Sequence, residues 1–244
     1  MARTAAALVI GNEILSGKIQ DANTVTLARE LRALGVELRR VVVVPDEVAL
    51  IAAELNALRL THDMVFTSGG VGPTHDDVTV EAIARALGRR VVRSSEIEDL
   101  LRSYYGERCT EGHLRMADIV EGTELYRGDD PRWPTMVLGN VYVLPGVPEI
   151  YRVKLEGLRA RLRGDDAPFV LRSVYTTLDE GEIKDSIDAV VERFVDVSVG
   201  SYPRWRDADY AVRVTFDGRA ESRVNEAAEC FRAMLPEGTV TRTE

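Results

Sequence analysis

The chain has 244 residues, 45% hydrophobic and 29% charged, a composition that excludes a disordered, collagen-like or disulfide-scaffold protein and suits one full α/β domain plus a small appendage. Basic residues number 31 and acidic residues 40, a net charge of −9, and a field of that sign repels nucleic-acid backbones and acidic membrane surfaces. Cys109 and Cys230 stand in no metal-ligand spacing, and the six apolar residues from Ala5 to Ile10 are too few for a secretory core or a bilayer span, so the expectation is a cytoplasmic protein with neither nucleic-acid nor membrane partners.

Short apolar runs alternate with segments whose apolar residues recur at three and four, which reads as an α/β fold with a mostly parallel sheet. Ala5 to Ile10 and Val41 to Val44 are strands, and Leu27, Leu31 and Leu34 mark the helix between them, stopped at Gly35. Val48, Ile51, Ala52, Leu55 and Leu58 stripe a second helix and Met64 to Phe66 is the next buried strand. After a glycine-rich loop, Val80, Ile83, Ala84 and Leu87 stripe a third helix closed by Gly88. Val91-Val92 begins a short extended piece. Between Arg93 and Trp133 the pattern loses regularity: a helix over Ser95 to Tyr105 is followed by turn chemistry ending in Asp129-Asp130-Pro131, read as an insertion covering a site. Val137 to Leu144 is a two-part strand or hairpin broken at Gly139-Asn140, and Pro145-Gly146-Val147-Pro148-Glu149 leads into a helix to about Arg163.

Gly164-Asp165-Asp166 is the linker candidate, dividing residues 1–165 from residues 166–244. Beyond it come a strand over Phe169 to Thr177, a helix striped by Ile183, Ile187, Val190, Val191 and Phe194, strands around Val195 to Ser201 and Tyr210 to Phe216, and a helix striped by Val224, Ala227, Ala228, Phe231 and Leu235. That order is a small split α+β domain. Its 10 basic and 16 acidic residues make it the more acidic part. The turn Gly200-Ser201-Tyr202-Pro203-Arg204-Trp205 either stacks on a ring or, as the simpler reading, folds Trp205 over the small sheet.

The sharpest local feature is Thr67-Ser68-Gly69-Gly70-Val71-Gly72-Pro73-Thr74-His75-Asp76-Asp77, between a buried strand and a helix. Glycines there let backbone N–H groups approach an anion at the positive end of the next helix, which suits a phosphate or pyrophosphate. The ends of the other parallel strands carry Gly11-Asn12-Glu13, Pro45-Asp46-Glu47 and Pro145-Gly146, so one sheet edge gathers Glu13, Asp46, Asp76 and Asp77. Carboxylates beside a phosphate call for a bridging cation, and these four are the candidate metal ligands. The alternative is that Asp46 and Asp77 cap the helices that follow them. His62, His75 and His113 are read as non-catalytic, and no Ser-His-Asp or Cys-His set can be assembled.

On Gly11-Asn12-Glu13-Ile14-Leu15-Ser16-Gly17 with Asp21 and Asn23, on Val44-Pro45-Asp46-Glu47, on Gly69 through Thr79 and on Leu144-Pro145-Gly146-Val147-Pro148-Glu149, the chain resembles the MoaB/Mog-type molybdopterin-binding family, especially its CinA-like branch and the N-terminal region of animal FAD synthases. The resemblance implies a three-layer α/β domain followed by a small KH-like α+β domain. It implies Asp46 and Asp77 as catalytic residues, and Asn12, Glu13, Asn23, Ser68, Gly69, Gly70, Gly72, Thr74, Pro145 and Gly146 around a phosphorylated ligand, a pterin or a dinucleotide. It further implies a divalent metal, Mg or Co, molybdopterin as a possible ligand, and a homo-oligomer. Members of this kind resemble pyrophosphatases that release AMP from FAD or ADP-ribose; a non-catalytic binding module is the alternative. The family usually has Asp where this chain has Asn12.

Overall fold

A computed structural model describes residues 3–128, 133–164, 166–205 and 209–244. The turn at Asp129-Asp130-Pro131 and the linker residue Asp165 lie outside them. The chain divides into two compact units, Met1–Asp166 and Ala167–Glu244.

In the first unit, β1 (Thr4–Ile10), α1 (Asn12–Leu15), α2 (Asn23–Ala33), β2 (Glu37–Val44), α3 (Val48–Arg59), β3 (Met64–Ser68) and α4 (Thr79–Leu87) come in order. They are followed by β4 (Val91–Arg93), α5 (Ser95–Tyr105), α6 (Glu111–Leu114), β5 (Asp118–Val120), β6 (Glu124–Tyr126), β7 (Thr135–Leu138), β8 (Val141–Leu144), α7 (Pro148–Gly157) and α8 (Arg159–Leu162). The main sheet has the order β2-β1-β3-β8-β7-β6. β2, β1, β3 and β8 run parallel; β7 pairs antiparallel with β8, and β6 antiparallel with β7.

Strand alternation builds three layers. Ala5 and Ala7 of β1, Met64 and Phe66 of β3, and Tyr142 and Leu144 of β8 face one core with Leu27 and Leu31 of α2 and Leu155 of α7. Ala6, Leu8 and Ile10, Val65, and Val141 and Val143 face the other, with Ile51 and Leu55 of α3 and Ile83 of α4. Strands buried on both faces read as continuous apolar runs, which is why β1 and β3 stand out in the sequence. β2 is longer than expected, beginning at Glu37 rather than Val41; as an edge strand it carries Arg39 and Arg40 at no packing cost.

Thr67 lies on the Val65 face of β3, opposite Leu8 and Val143, fully buried. Among the described residues its hydroxyl has no hydrogen-bond partner. A buried, unpaired hydroxyl costs about 1–3 kcal/mol, so the isosteric Thr67→Val is expected to raise stability by about 1 kcal/mol in urea unfolding; a loss of stability would show that the hydroxyl is satisfied.

The insertion has its own small core of Ile97, Leu101, Leu114, Ala117 and Ile119, with β4 and β5 paired antiparallel beside it. Ser94 caps α5 by accepting from the Ile97 N–H. His113 closes a capping box with Thr110 at α6, and the His62 ring sits against the Leu58 carbonyl, so both histidines hold local structure.

The second unit comprises β9 (Val170–Thr176), α9 (Glu180–Arg193), β10 (Ser198–Pro203), β11 (Val212–Gly218), α10 (Glu221–Met234) and β12 (Val240–Thr243). Its antiparallel sheet has the order β10-β11-β9-β12, packed on both helices through Val174, Ile183, Val214, Phe216 and Phe231. Three expectations need correction. Val191 is exposed and Val195 is 89% exposed, outside any strand. Trp205 is 87% exposed, so it does not cover the small sheet. β12, which pairs with β9, was missed because Val240 is its only apolar residue.

Candidate functional site

The four parallel strands end level. Ile10 pairs with Val44, Val9 with Ser68, and Ser68 with Leu144, and the chain after each end is tied to its neighbour by Gly11 N–H donating to the Val44 carbonyl at 3.1 Å and Gly69 N–H to the Leu144 carbonyl at 3.2 Å. The order β2-β1-β3 reverses direction at β1, and ligands of open α/β sheets collect in the crevice outside the carboxyl ends at such a switch point. The Gly11 turn and the Gly69 loop flank it.

The loop after β3 depends on backbone that only glycine adopts without strain. Gly69 has φ +102° and a Cβ on it would stand 2.3 Å from the Ile10 carbonyl oxygen; Gly70 has φ +65° and its Cβ would meet Thr79 Oγ1 at 2.3 Å. Thr79, buried at the start of α4, donates its hydroxyl to the Gly69 carbonyl at 2.9 Å and its N–H to the Gly70 carbonyl at 3.0 Å. Across the loop, the Asn23 side-chain amide donates to Ser68 Oγ and to the Gly146 carbonyl, each at 2.9 Å. Asp21 holds Asn23 in place by accepting from the Asn23 and Thr24 N–H groups at 3.0 Å. Gly146 in turn lies against Gly69, where a Cβ would contact the Gly69 Cα at 3.4 Å. Among the described residues, the N–H groups of Gly70, Val71 and Gly72 donate to no acceptor.

The carboxylates form two separate groups. Asp46 Oδ2 accepts from the Asn12 N–H at 2.9 Å, and Glu13 folds over Gly11. Asp77 Oδ2 accepts from the Thr74 N–H at 2.8 Å and lies over Gly72. The Thr74 hydroxyl lies 2.6 Å from Asp76 Oδ1 and 2.5 Å from Asp77 Oδ2, and its single proton is shared between two acceptors. Neither Asp46 nor Asp77 caps the helix that follows it, because α3 and α4 both start without a side-chain cap; Asp46 instead accepts from the first N–H of α1. The four-carboxylate metal set expected from Glu13, Asp46, Asp76 and Asp77 is not assembled: among the described residues no three of His, Cys, Asp and Glu form a group able to hold an ion. His75 is exposed beside Asp76.

The Thr74 hydroxyl is the largest influence holding the Asp76 carboxyl below the usual carboxylate range, assisted by its own backbone N–H and by His75. A carboxyl with a lowered value keeps its charge through neutral and mildly acid solution and loses it only as pH falls through that value. Removing the donor in Thr74→Val is therefore expected to move the Asp76 titration up, toward the ordinary carboxylate range, in carboxyl carbon NMR; an unmoved titration would contradict the hydrogen bond's role.

The insertion reaches this end of the sheet. Ile97, Leu101 and Tyr104 of α5, with Trp133, line a cavity of about 590 Å³ that also touches Val71 of the glycine loop and Pro145. Thr79 and the insertion aromatics escaped the sequence reading as site residues; Thr79 stands at the close of the quoted loop motif, which was the available signal.

The model of a probable molybdopterin binding domain matches residues 6–163. The chain belongs to the MoaB/Mog-type molybdopterin-binding family, in its CinA-like branch. A separate model, described as the middle domain of FAD synthase, matches residues 168–244. A protein of Archaeoglobus fulgidus is 34% identical, with 93% of this chain covering 95% of that one. A probable FAD synthase of Caenorhabditis elegans is 29% identical over 96% of this chain but 50% of its own length, so the chain spans about half of that relative. Among solved structures, CinA of Thermoplasma acidophilum, described as of unknown function, superposes with a TM-score of 0.60 at 30% identity, covering 66% of this chain and 98% of that one. The α/β fold with its mostly parallel sheet is the one expected of this family. Among the described residues no helix is long and apolar enough to cross a membrane.

Proposed function

We propose that the first unit is a cation-assisted pyrophosphatase that releases AMP from a dinucleotide of the FAD or ADP-ribose class. The observation that carries the reading is the row of N–H groups at Gly70, Val71 and Gly72, which meet no acceptor among the described residues, in the loop that leads into α4 and with Asp77 lying over Gly72. Such a row binds phosphate oxygens. Matching relatives named as probable FAD synthases support the dinucleotide class, since FAD contains a pyrophosphate.

Asp76 and Asp77 fit a divalent cation as the two protein carboxylates that Mg²⁺ takes when substrate phosphate and water complete its shell, a donor set that needs no all-protein cage. When bound there, the cation neutralises phosphate charge and acidifies water. In the reaction a water oxygen bonds to one phosphorus as the bond to the bridging oxygen breaks, and the water protons pass to the two monophosphate products. The loop N–H groups hold the non-bridging oxygens, Asn23 fixes the loop against Gly146, and Asp46 holds the Asn12 turn against the switch point. No side-chain nucleophile is required.

Incubation with FAD, ADP-ribose and NAD⁺, with and without Mg²⁺ or Co²⁺, is expected to release AMP only with metal. The family's description as molybdopterin-binding favours a second reading, a module that holds a pterin phosphate uncleaved. No AMP from any substrate, with stabilisation by a pterin phosphate of about 2.7 kcal/mol at a hundredfold excess over Kd, would select it.

A further inference from the structure

We propose that the cavity beside the glycine loop seats a flat fused heteroaromatic ring of the ligand, so that the ring lies between the insertion and α7 while its phosphate lies on the loop; this rests on the phosphate reading of that loop. The cavity, about 590 Å³, falls within the size range of small-molecule sites, about 300–1,000 Å³. Its rim includes Val71, flanked by the Gly70 and Gly72 amides, and Pro145, next to the Gly146 that packs on Gly69. A ligand with its phosphate on those amides therefore has its next atoms at the cavity mouth. One wall is aromatic: Tyr104 meets Trp133 edge-to-face with centroids 5.8 Å apart and Tyr105 at 4.9 Å. The facing wall is apolar, Ile150 and Val153 of α7. Lys154 Nζ donates to the carbonyls of Trp133 at 3.3 Å and Pro134 at 2.8 Å, tying the two walls at a fixed separation. Tyr104 is 66% exposed, and Ile150 and Val153 are also exposed, so apolar surface is left open where a ring face would cover it. Stacking on aromatic side chains accepts any flat heterocycle, because each has a π-face.

The chain has two tryptophans, and Trp205 is exposed, so Trp205→Phe leaves Trp133 as the sole tryptophan reporter. In that background FMN is expected to quench Trp133 emission saturably. Tyr104→Ala is expected to weaken FMN binding at least tenfold and Ile150→Ala about threefold, whereas ribose 5-phosphate, followed by calorimetry, binds wild type and both variants alike. Both substituted residues are exposed, so the fold survives their loss. Absence of saturable quenching, or FMN affinity unchanged in both variants, overturns the ring seat. Unchanged affinity with a changed sedimentation coefficient also overturns it and assigns the face to a second copy of the chain. Ribose 5-phosphate that fails to bind wild type, or binds Gly70→Ala equally well, refutes the phosphate reading instead, and so separates the two failures.

Discussion

Gly69→Ala is expected to cost about 3 kcal/mol or more of stability and to abolish binding of any phosphorylated ligand. Two costs combine. The residue sits at φ +102°, a conformation that side chains rarely adopt, and its new Cβ would stand 2.3 Å from the Ile10 carbonyl oxygen. Backbone strain costs about 1–3 kcal/mol and overpacking a similar amount. The Ile10 carbonyl is backbone of the central strand β1, fixed by parallel pairing to β2 and β3, so it cannot move aside without disturbing the sheet. Gly88 provides the comparison: it has φ +62° but nothing within 4 Å of a Cβ, and Gly88→Ala is expected to cost only about 1 kcal/mol. Urea unfolding of both variants checks this, and equal losses would show that the loop has room for a side chain.

Asp77→Asn is expected to lower AMP release by at least about 100-fold, the scale of losing one aligned electrostatic group in an active site, while stability changes by less than about 1 kcal/mol. The side chain lies over Gly72 and accepts from the Thr74 N–H. Asn keeps the shape and one oxygen for that N–H but removes the charge, and with it the cation's hold. Thermal unfolding should then overlay on wild type. A variant with full turnover would remove Asp77 from the chemistry, and one that fails to fold would make its role structural.

The parts of the fold visible in the sequence are those decided locally. β1 and β3 are buried on both faces and read as apolar runs; α5 begins after a capping serine and stops at Gly106; Gly88 ends α4 in a left-handed conformation. β12 was not visible, because one apolar residue carries no period and its place depends on pairing with β9, far away in sequence. The site divides in the same way. The glycine loop announces itself as punctuation between a strand and a helix. The Asn23 contacts with Ser68 and Gly146, 45 and 123 residues apart, depend on strand order, which periodicity does not report. Sequence reasoning set Glu13, Asp46, Asp76 and Asp77 on one sheet edge, but an edge is wide. Side-chain hydrogen bonds turned Asp46 to the Asn12 turn and Asp76 and Asp77 to Thr74.

A crystal structure of the full chain with a non-hydrolysable ADP-ribose analogue and Mg²⁺ tests the central claim most directly. A phosphate group is expected within hydrogen-bond reach of the Gly70, Val71 and Gly72 N–H groups, with Mg²⁺ between it and Asp76 or Asp77. An analogue bound elsewhere, with those three amides facing only solvent, would contradict it.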